Sequence, residues 1–439
     1  MFMWVPSSRR DIGSTSTWAT PTVVVLTALL SVLFVVSACG GGEEGPPLIT
    51  VDSTADSDSR DGVLTLREAL LVATGELAVA NLDPEEADNI KGAPGAESGD
   101  TIVFDVSVFP PSEPATISLA SPLPALATEG DSVDGSQAGV IVDGVNQTFD
   151  CFQIDSAGNA IRGLHIQGCL TAVVLGRSAQ NNIIGGAEEG EGNVISANDQ
   201  GVLLAAEGTN SNQVIGNLIG TDGSGTKPNG NRIGVMIRSG ARDNVIGGSN
   251  TGERNIISGQ RAVGVTISGS DNLVIGNYIG TDITGTVSIS NRMEGIWITD
   301  GAQGNVVGGT SPGEGNVISG NALFGVSITG SGTSGNVVKG NYIGVDATGA
   351  AALGNRHGVD ISWGAEDNII GGSAEGEGNI ISANNTGVLL RGYPTKGNVV
   401  EGNYIGTDAS GETALRNARA ISIIEGAEDN TVGPNVIED

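Results

Sequence analysis

The sequence repeats itself, and that limits its fold more than any other property. Asn182-Ile-Ile-Gly-Gly returns as Asn244-Val-Ile-Gly-Gly, Asn305-Val-Val-Gly-Gly, Asn368-Ile-Ile-Gly-Gly and Asn430-Thr-Val-Gly-Pro, at steps of 62, 61, 63 and 62 residues. A second phrase occurs twice per period: Gly201-Val-Leu-Leu, Gly234-Val-Met-Ile, Gly264-Val-Thr-Ile, Gly295-Ile-Trp-Ile, Gly325-Val-Ser-Ile, Gly358-Val-Asp-Ile and Gly387-Val-Leu-Leu. Their steps are 33, 30, 31, 30, 33 and 29, so the unit is one coil of about 30 residues in two alternating versions. A fixed period of this size means a stacked repeat architecture.

Each coil holds three short apolar pieces, such as Val235–Ile237, Val245–Ile246 and Ile256–Ile257. Gly, Asn, Ser and Asp separate them, which is strand-and-turn chemistry with no room for a helix. Three short strands per coil, stacked coil on coil, make an all-β solenoid, a parallel β-helix. Two asparagine columns fix the register. One precedes strand two (Asn182, Asn212, Asn244, Asn272, Asn305, Asn336, Asn368, Asn398, Asn430) and the other strand three (Asn193, Asn217, Asn255, Asn277, Asn316, Asn341, Asn379, Asn403). Stacked strands sit about 4.8 Å apart, close enough for amides to hydrogen-bond up a column. One coil type carries extra residues before strand three (187–192, 249–254, 310–315, 373–378). The other carries them after it (221–231, 281–291, 345–355, 407–417). Insertions in solenoids map to loops on a face and often bind.

Composition agrees. Gly is 70 of 439 residues, over twice the usual share of roughly 7%, because every coil turns three corners. The formal net charge of −30 argues against nucleic acid as a partner and against a polyanionic glycan without a bridging metal.

The chain divides into four segments. Residues 1–38 read as a signal peptide: Arg9 and Arg10, an apolar run over 22–36, then small residues before Cys39. The cut site resembles the lipobox of bacterial lipoproteins, which implies lipidation of Cys39, export, and a membrane contact through the lipid anchor alone, at the outer membrane or cell surface. Residues 39–47 are a flexible acidic tether. Residues 48–130 read as an N-terminal cap with opening strands and one short helix over Leu64–Val72, where Thr65 and Glu68 have capping-box spacing. Residues 131–439 are the solenoid proper, read as a monomer.

Asp52-Ser-Thr-Ala-Asp, Asp61-Gly-Val-Leu-Thr-Leu-Arg-Glu-Ala-Leu and Gly99-Asp-Thr-Ile-Val-Phe-Asp resemble the "CSLREA" N-terminal region of secreted bacterial β-helix proteins. Leu64-Thr-Leu-Arg-Glu-Ala stands here in place of Cys-Ser-Leu-Arg-Glu-Ala. With the repeats, the resemblance covers residues 48–439 and implies a right-handed parallel β-helix and export; it implies no agreed activity. Cys151 and Cys169 are either a disulfide between successive coils, with Phe152 aligned to Ala172, or two partly buried thiols.

Folds of this kind include polysaccharide lyases, pectin hydrolases and uronan epimerases, so the competing functional reading is a carbohydrate-active enzyme, a polysaccharide lyase or glycoside hydrolase. The pectin-hydrolase motif set and the epimerase Asp-Pro-His-Asp are absent. In Gly-Val-x-Ile the Val and Ile face inward, so x faces out. That column reads Leu203, Met236, Thr266, Trp297, Ser327, Asp360, Leu389 and Ser422. Trp297 and Trp363 could stack on sugar rings, with Arg238, Asp300 and Arg391 around them, as a binding face for extracellular polysaccharide or cell-surface glycans. His357 and Asp360 form the lesser candidate, a catalytic pair. Asp222, Asp282, Asp346 and Asp408 recur in the loops after strand three, and Glu191, Glu253, Glu314 and Glu377 in those before it. They are either turn formers or, for the aspartates, Ca2+ ligands assisted by neighbouring carbonyls. The expectation is a lipid-anchored surface protein used for binding, adhesion or scaffolding.

Overall fold

Short apolar pieces between glycine and asparagine corners cannot satisfy their backbone polar groups alone, so each coil satisfies them on its neighbours. The computed structural model describes residues 45–95, 99–145, 148–176 and 178–438. Contacts divide the chain into units 1–43 and 44–439. The signal-peptide reading and Cys39 fall outside the described residues, and the repeats lie in the second unit.

The fold is a parallel β-helix. Strand one of a representative coil spans Ile233–Arg238, strand two Val245–Gly247 and strand three Ile256–Ile257. Stacking makes three sheets, with 10, 14 and 12 strands respectively among the described residues; each repeat strand is hydrogen-bonded in parallel to the equivalent strand of the next coil, and only Ile90–Lys91 at the N-terminal edge pairs antiparallel. Val235, Ile237, Ile246 and Ile257 are fully buried. Burial of each such side chain contributes about 1.5–3 kcal/mol, and the inward column is one continuous core along the axis.

Both asparagine columns are internal ladders. The Asn305 carbonyl accepts from the backbone N–H and side-chain amide of Asn272, at 2.9 and 3.1 Å. Its own backbone and amide donate to Asn336 at 3.0 and 2.9 Å, and the amide also reaches the Gly269 carbonyl. A third ladder, not anticipated, precedes strand one: Asn198, Asn231, Gln260, Asn291, Asn321, Asn355, Asn384 and Asn417. Its members stand three or four residues ahead of the Gly-Val-x-Ile phrase, and Gln260 breaks the residue identity, so a fixed-offset reading passes over it.

At the N-terminal end, Leu48–Val51 pairs in parallel with Thr101–Phe104, so these strands already belong to the strand-two sheet. The helix runs Leu66–Ala73, capped by Thr65 and Glu68 as the spacing predicts, and packs on those two strands. Arg67 grips both carboxylate oxygens of Asp56 and the carbonyls of Ser121 and Pro122. Glu68 accepts from the backbone of Ser59 and Thr65. The Leu-Arg-Glu-Ala segment therefore fastens the 52–62 loop to the helix. The expectation of one helix is corrected: Pro84–Ala87 forms a second, because Asp83 and Glu86 make a capping box around a proline at the first turn.

Cys151 and Cys169 are joined in a disulfide, their Cα atoms 5.7 Å apart. The register there differs by one residue from expectation: Phe152 pairs with Val173, not Ala172. That pairing keeps Phe152 and Ile154 in column with Val173 and Leu175, all buried.

Candidate functional site

The strand-one sheet carries the residues singled out from the sequence. Its x column does leave the core, as the alternation requires, but it is not an open face. Leu203, Thr266, Ser327, Asp360 and Leu389 are buried, and Met236, Trp297 and Ser422 are half-buried. Side chains from neighbouring columns and coils lie over them.

Asp360 is the centre of that cover. It is 0% exposed. Its Oδ1 accepts from Arg391 Nε at 2.8 Å, and its Oδ2 from Ser362 at 2.8 Å and Ser327 at 3.2 Å. The Arg391 guanidinium carbon lies 5.5 Å from the Phe324 ring centroid and 6.0 Å from that of Trp363. Phe324 stacks on His357 with centroids 5.3 Å apart. Burial, then the Arg356 charge, pushes the His357 imidazole below its usual value, and its Nδ1 has no hydrogen-bond partner. His357 and Asp360 thus share a face, but Asp360 is sealed beneath Arg391 with both oxygens bonded.

Sequence reasoning missed Glu294. It stands one position before the glycine, in the column where other coils place Ile233, Val263, Phe324 and His357. The column also holds Thr171, Gln200, Thr386 and Arg419, so an acid there gives no clear signal in the sequence. Its Oε2 is buried without a partner. Burial raises its carboxyl above the ordinary range, with the Asp360 charge adding in the same direction. A raised carboxyl holds its proton more tightly in the folded chain than in the unfolded one. Stability contributed by the neutral acid is therefore complete below about pH 4.3 and is lost as pH climbs from there through the raised value. Glu294→Gln cannot ionise and is expected to gain stability over the parent at pH 7 and nothing at pH 3, read by thermal melts across that range.

The other candidates separate. Arg238 and Arg391 lie in one column but five coils apart, roughly 24 Å by the strand spacing. Trp297 donates its indole N–H to Thr329 at 2.8 Å, which ties the ring to its own sheet. Asp300 is exposed at the corner after strand one, and Trp363 occupies the same corner two coils on. That corner is left-handed in successive coils: Asp300 φ 55°, Gly330 φ 95°, Trp363 φ 56°, Gly392 φ 78° and Glu425 φ 55°. Such a conformation is rare for a bulky side chain. Trp363 is nonetheless 58% exposed, over Gly392, whose missing Cβ would come 3.0 Å from the ring. Tyr393, beside Gly392, is 71% exposed.

The acidic side chains of the loop columns bond within their own turns. Oδ1 of Asp222 accepts from the Ser224 hydroxyl at 2.7 Å and from the backbone of Thr226 and Lys227. Asp282, Asp346 and Asp408 repeat this with Thr284, Thr348 and Ser410. Glu191, Glu253, Glu314 and Glu377 each accept from the backbone N–H three residues earlier. Among the described residues, no three His, Cys, Asp or Glu side chains converge as a metal site would require.

No family model and no curated protein matches this sequence. Among solved structures it is similar to the Dettilon tailspike protein (gp208), at 15% identity over 74% of this chain and a TM-score of 0.41; the chain spans 62% of the tailspike's length. It is also similar to pectate lyase Pel9A, at 12% identity over 88% of this chain and 78% of that one, TM-score 0.31. Alginate lyase AlyF-OU02 in complex with G6 matches at 12% identity over 77% and 81%, TM-score 0.28. At these values no site is transferred from any of them.

Proposed function

We propose that this chain is an exported, lipid-anchored β-helix whose outer corner around Trp363 binds glycans, as an adhesion or scaffold surface. The observation that carries the reading is the Trp363 ring itself. A left-handed backbone costs a non-glycine residue about 1–2 kcal/mol. A ring held there returns little by packing when more than half of it faces solvent. Strain without internal return is characteristic of positions kept for an external partner. Arg391, anchored on Asp360, puts a guanidinium beside it, and exposed Tyr393 follows the glycine beneath the ring. Stacked rings and fixed polar groups on a rigid sheet suit a sugar ring.

A glycan array on the domain, followed by fluorescence titration with neutral and acidic oligosaccharides with and without Ca2+, tests this reading. Trp363→Gly is expected to raise stability by about 1 kcal/mol, because glycine takes the left-handed corner freely, while abolishing the tryptophan fluorescence response that a sugar at this corner gives. A variant that is destabilised, or whose fluorescence responds as the parent's does, would return the ring to a structural role. Release of reducing or unsaturated ends from any polysaccharide would replace binding by turnover.

The anchor rests on the apolar run over 22–36 and the small residues ahead of Cys39. Cys39→Ser is expected to move the protein out of the detergent phase or leave it unprocessed. Unchanged partitioning would remove the anchor from the reading.

A further inference from the structure

The two loop columns build something the Trp363 corner does not use. Strand three has two residues, the first facing out. Along the axis those outward residues read Val194, Leu218, Ile256, Tyr278, Val317, Tyr342, Ile380 and Tyr404, each paired with the next. In one coil type a long loop enters this strand; in the other a long loop leaves it. The loops therefore stand on opposite sides of the column. Each set stacks on itself. Ile283 N–H bonds to Gly225 O, Ala347 to Gly285 and Ala409 to Gly349, all at 3.0 Å. On the opposite wall a Cβ at Gly252 or Gly313 would strike the carbonyl of Ala187 or Ser249 in the loop before.

The result is a straight trough. It opens into three cavities of about 420, 350 and 440 Å³, floored by Leu218, by Tyr278 with Tyr342, and by Tyr404. Arg254 lines the first two cavities and Gly376 the last two, so neighbouring cavities share a wall residue. From Val194 to Tyr404 is seven coil steps, roughly 34 Å. Gly285, Gly349 and Gly411 lie where a Cβ would press on the tyrosine rings, and this lets each ring settle half-buried beside the wall.

We propose that this trough is a binding track for a linear, uncharged polysaccharide lying along the solenoid axis, with a tyrosine ring at every second coil. Its straightness and two-coil period, roughly 9.6 Å, call for a polymer with a regular repeat. The floor strands already pair on both sides, so no free sheet edge runs along the trough for a peptide to extend. Exposed Glu188, Glu189, Glu375 and Glu412 on the two loop sets, and the net charge of −30, repel an acidic polymer. Arg254, which lines the trough, is engaged with the Tyr278 ring at 4.1 Å and with the Gly276 carbonyl. Aromatic rings, glycine backbone and Ser and Thr hydroxyls are what remain, and these suit sugar faces and hydroxyls.

Calorimetric titration of the domain with cello-, xylo- and manno-oligosaccharides of two to eight residues, and with hexagalacturonate, tests the track. Affinity for at least one neutral series should climb with chain length. Tyr342→Ala should lower it roughly tenfold, as loss of one stacking ring does. Ser311→Trp fills the trough from its exposed wall without altering the floor and should abolish binding, with an unchanged melting curve. Trp363→Gly should leave this affinity as it is, which separates the track from the corner. Binding that is absent, independent of length, stronger for hexagalacturonate, or indifferent to Ser311→Trp would overturn the proposal.

Discussion

Asn305→Leu is expected to open the middle of the solenoid at a cost on the order of 3–5 kcal/mol. The side chain is fully buried and holds five hydrogen bonds across three coils. Leucine has the same branched outline but is bulkier, so some overpacking adds to the loss of partners. The Asn272 N–H and amide lose their acceptor, and the Gly269 carbonyl loses a donor. Each buried orphan costs about 1–3 kcal/mol, and partial relaxation keeps the total below the sum. Asn430→Leu is the control. Asn430 still accepts from Asn398 and donates to Thr395 and Glu428 carbonyls, but it is half-buried in the last coil, where water can replace what is lost. About 1 kcal/mol is expected there. A solenoid need not unfold as one unit, so hydrogen exchange of the coils flanking each site is the proper measurement. Equal protection in both variants would mean the ladder is ornamental to stability.

The contrast between the ladders shows what the sequence makes legible. The two columns at constant offsets from the apolar pairs are visible by counting. The third has the same chemistry and the same bonding, but its offset from strand one varies because the corner there absorbs an extra residue in some coils. Parity along strand one likewise says that Trp297 and Asp360 leave the core. It cannot say what lies over them, because Asp360 is covered by Arg391 from the next coil, and long side chains choose where to lie. The acidic loop columns are open to two readings in sequence because Asx turns and calcium loops share composition. The structure adds that Asp222 and its equivalents bond the hydroxyl and backbone of their own loops through Oδ1. The trough is least legible of all. Its wall loops are visible as insertions, but a residue such as Tyr342 looks in sequence like any outward strand position. It becomes a floor only once loops from alternate coils are known to rise on opposite sides of it.

Arg391 offers the sharpest test of whether the strand-one face is built for stability or for a ligand. Asp360 has no contact with solvent, and Arg391 is its only ion-pair partner among the described residues. Arg391→Leu would leave a carboxylate buried with two serine hydroxyls, and breaking a buried pair in this way costs about 3–5 kcal/mol. Asp360→Asn should cost much less, because the Arg391 side chain is 27% exposed and its guanidinium can turn toward water. The double variant Arg391→Leu with Asp360→Asn removes both charges and is expected to recover most of the single loss, since a neutral amide still bonds Ser327 and Ser362. That recovery, measured as a coupling energy from urea unfolding of the four proteins, identifies the pair as a unit. If Arg391→Leu instead melted with the parent, Asp360 would have found another route to neutrality, and the guanidinium would be free for a bound sugar. A stable Arg391→Leu protein that had lost only glycan affinity would make Arg391 a ligand contact at the Trp363 corner. The expected result, a large loss cured by the second substitution, makes it the clamp that holds the face shut and sets the Trp363 ring beside a fixed charge.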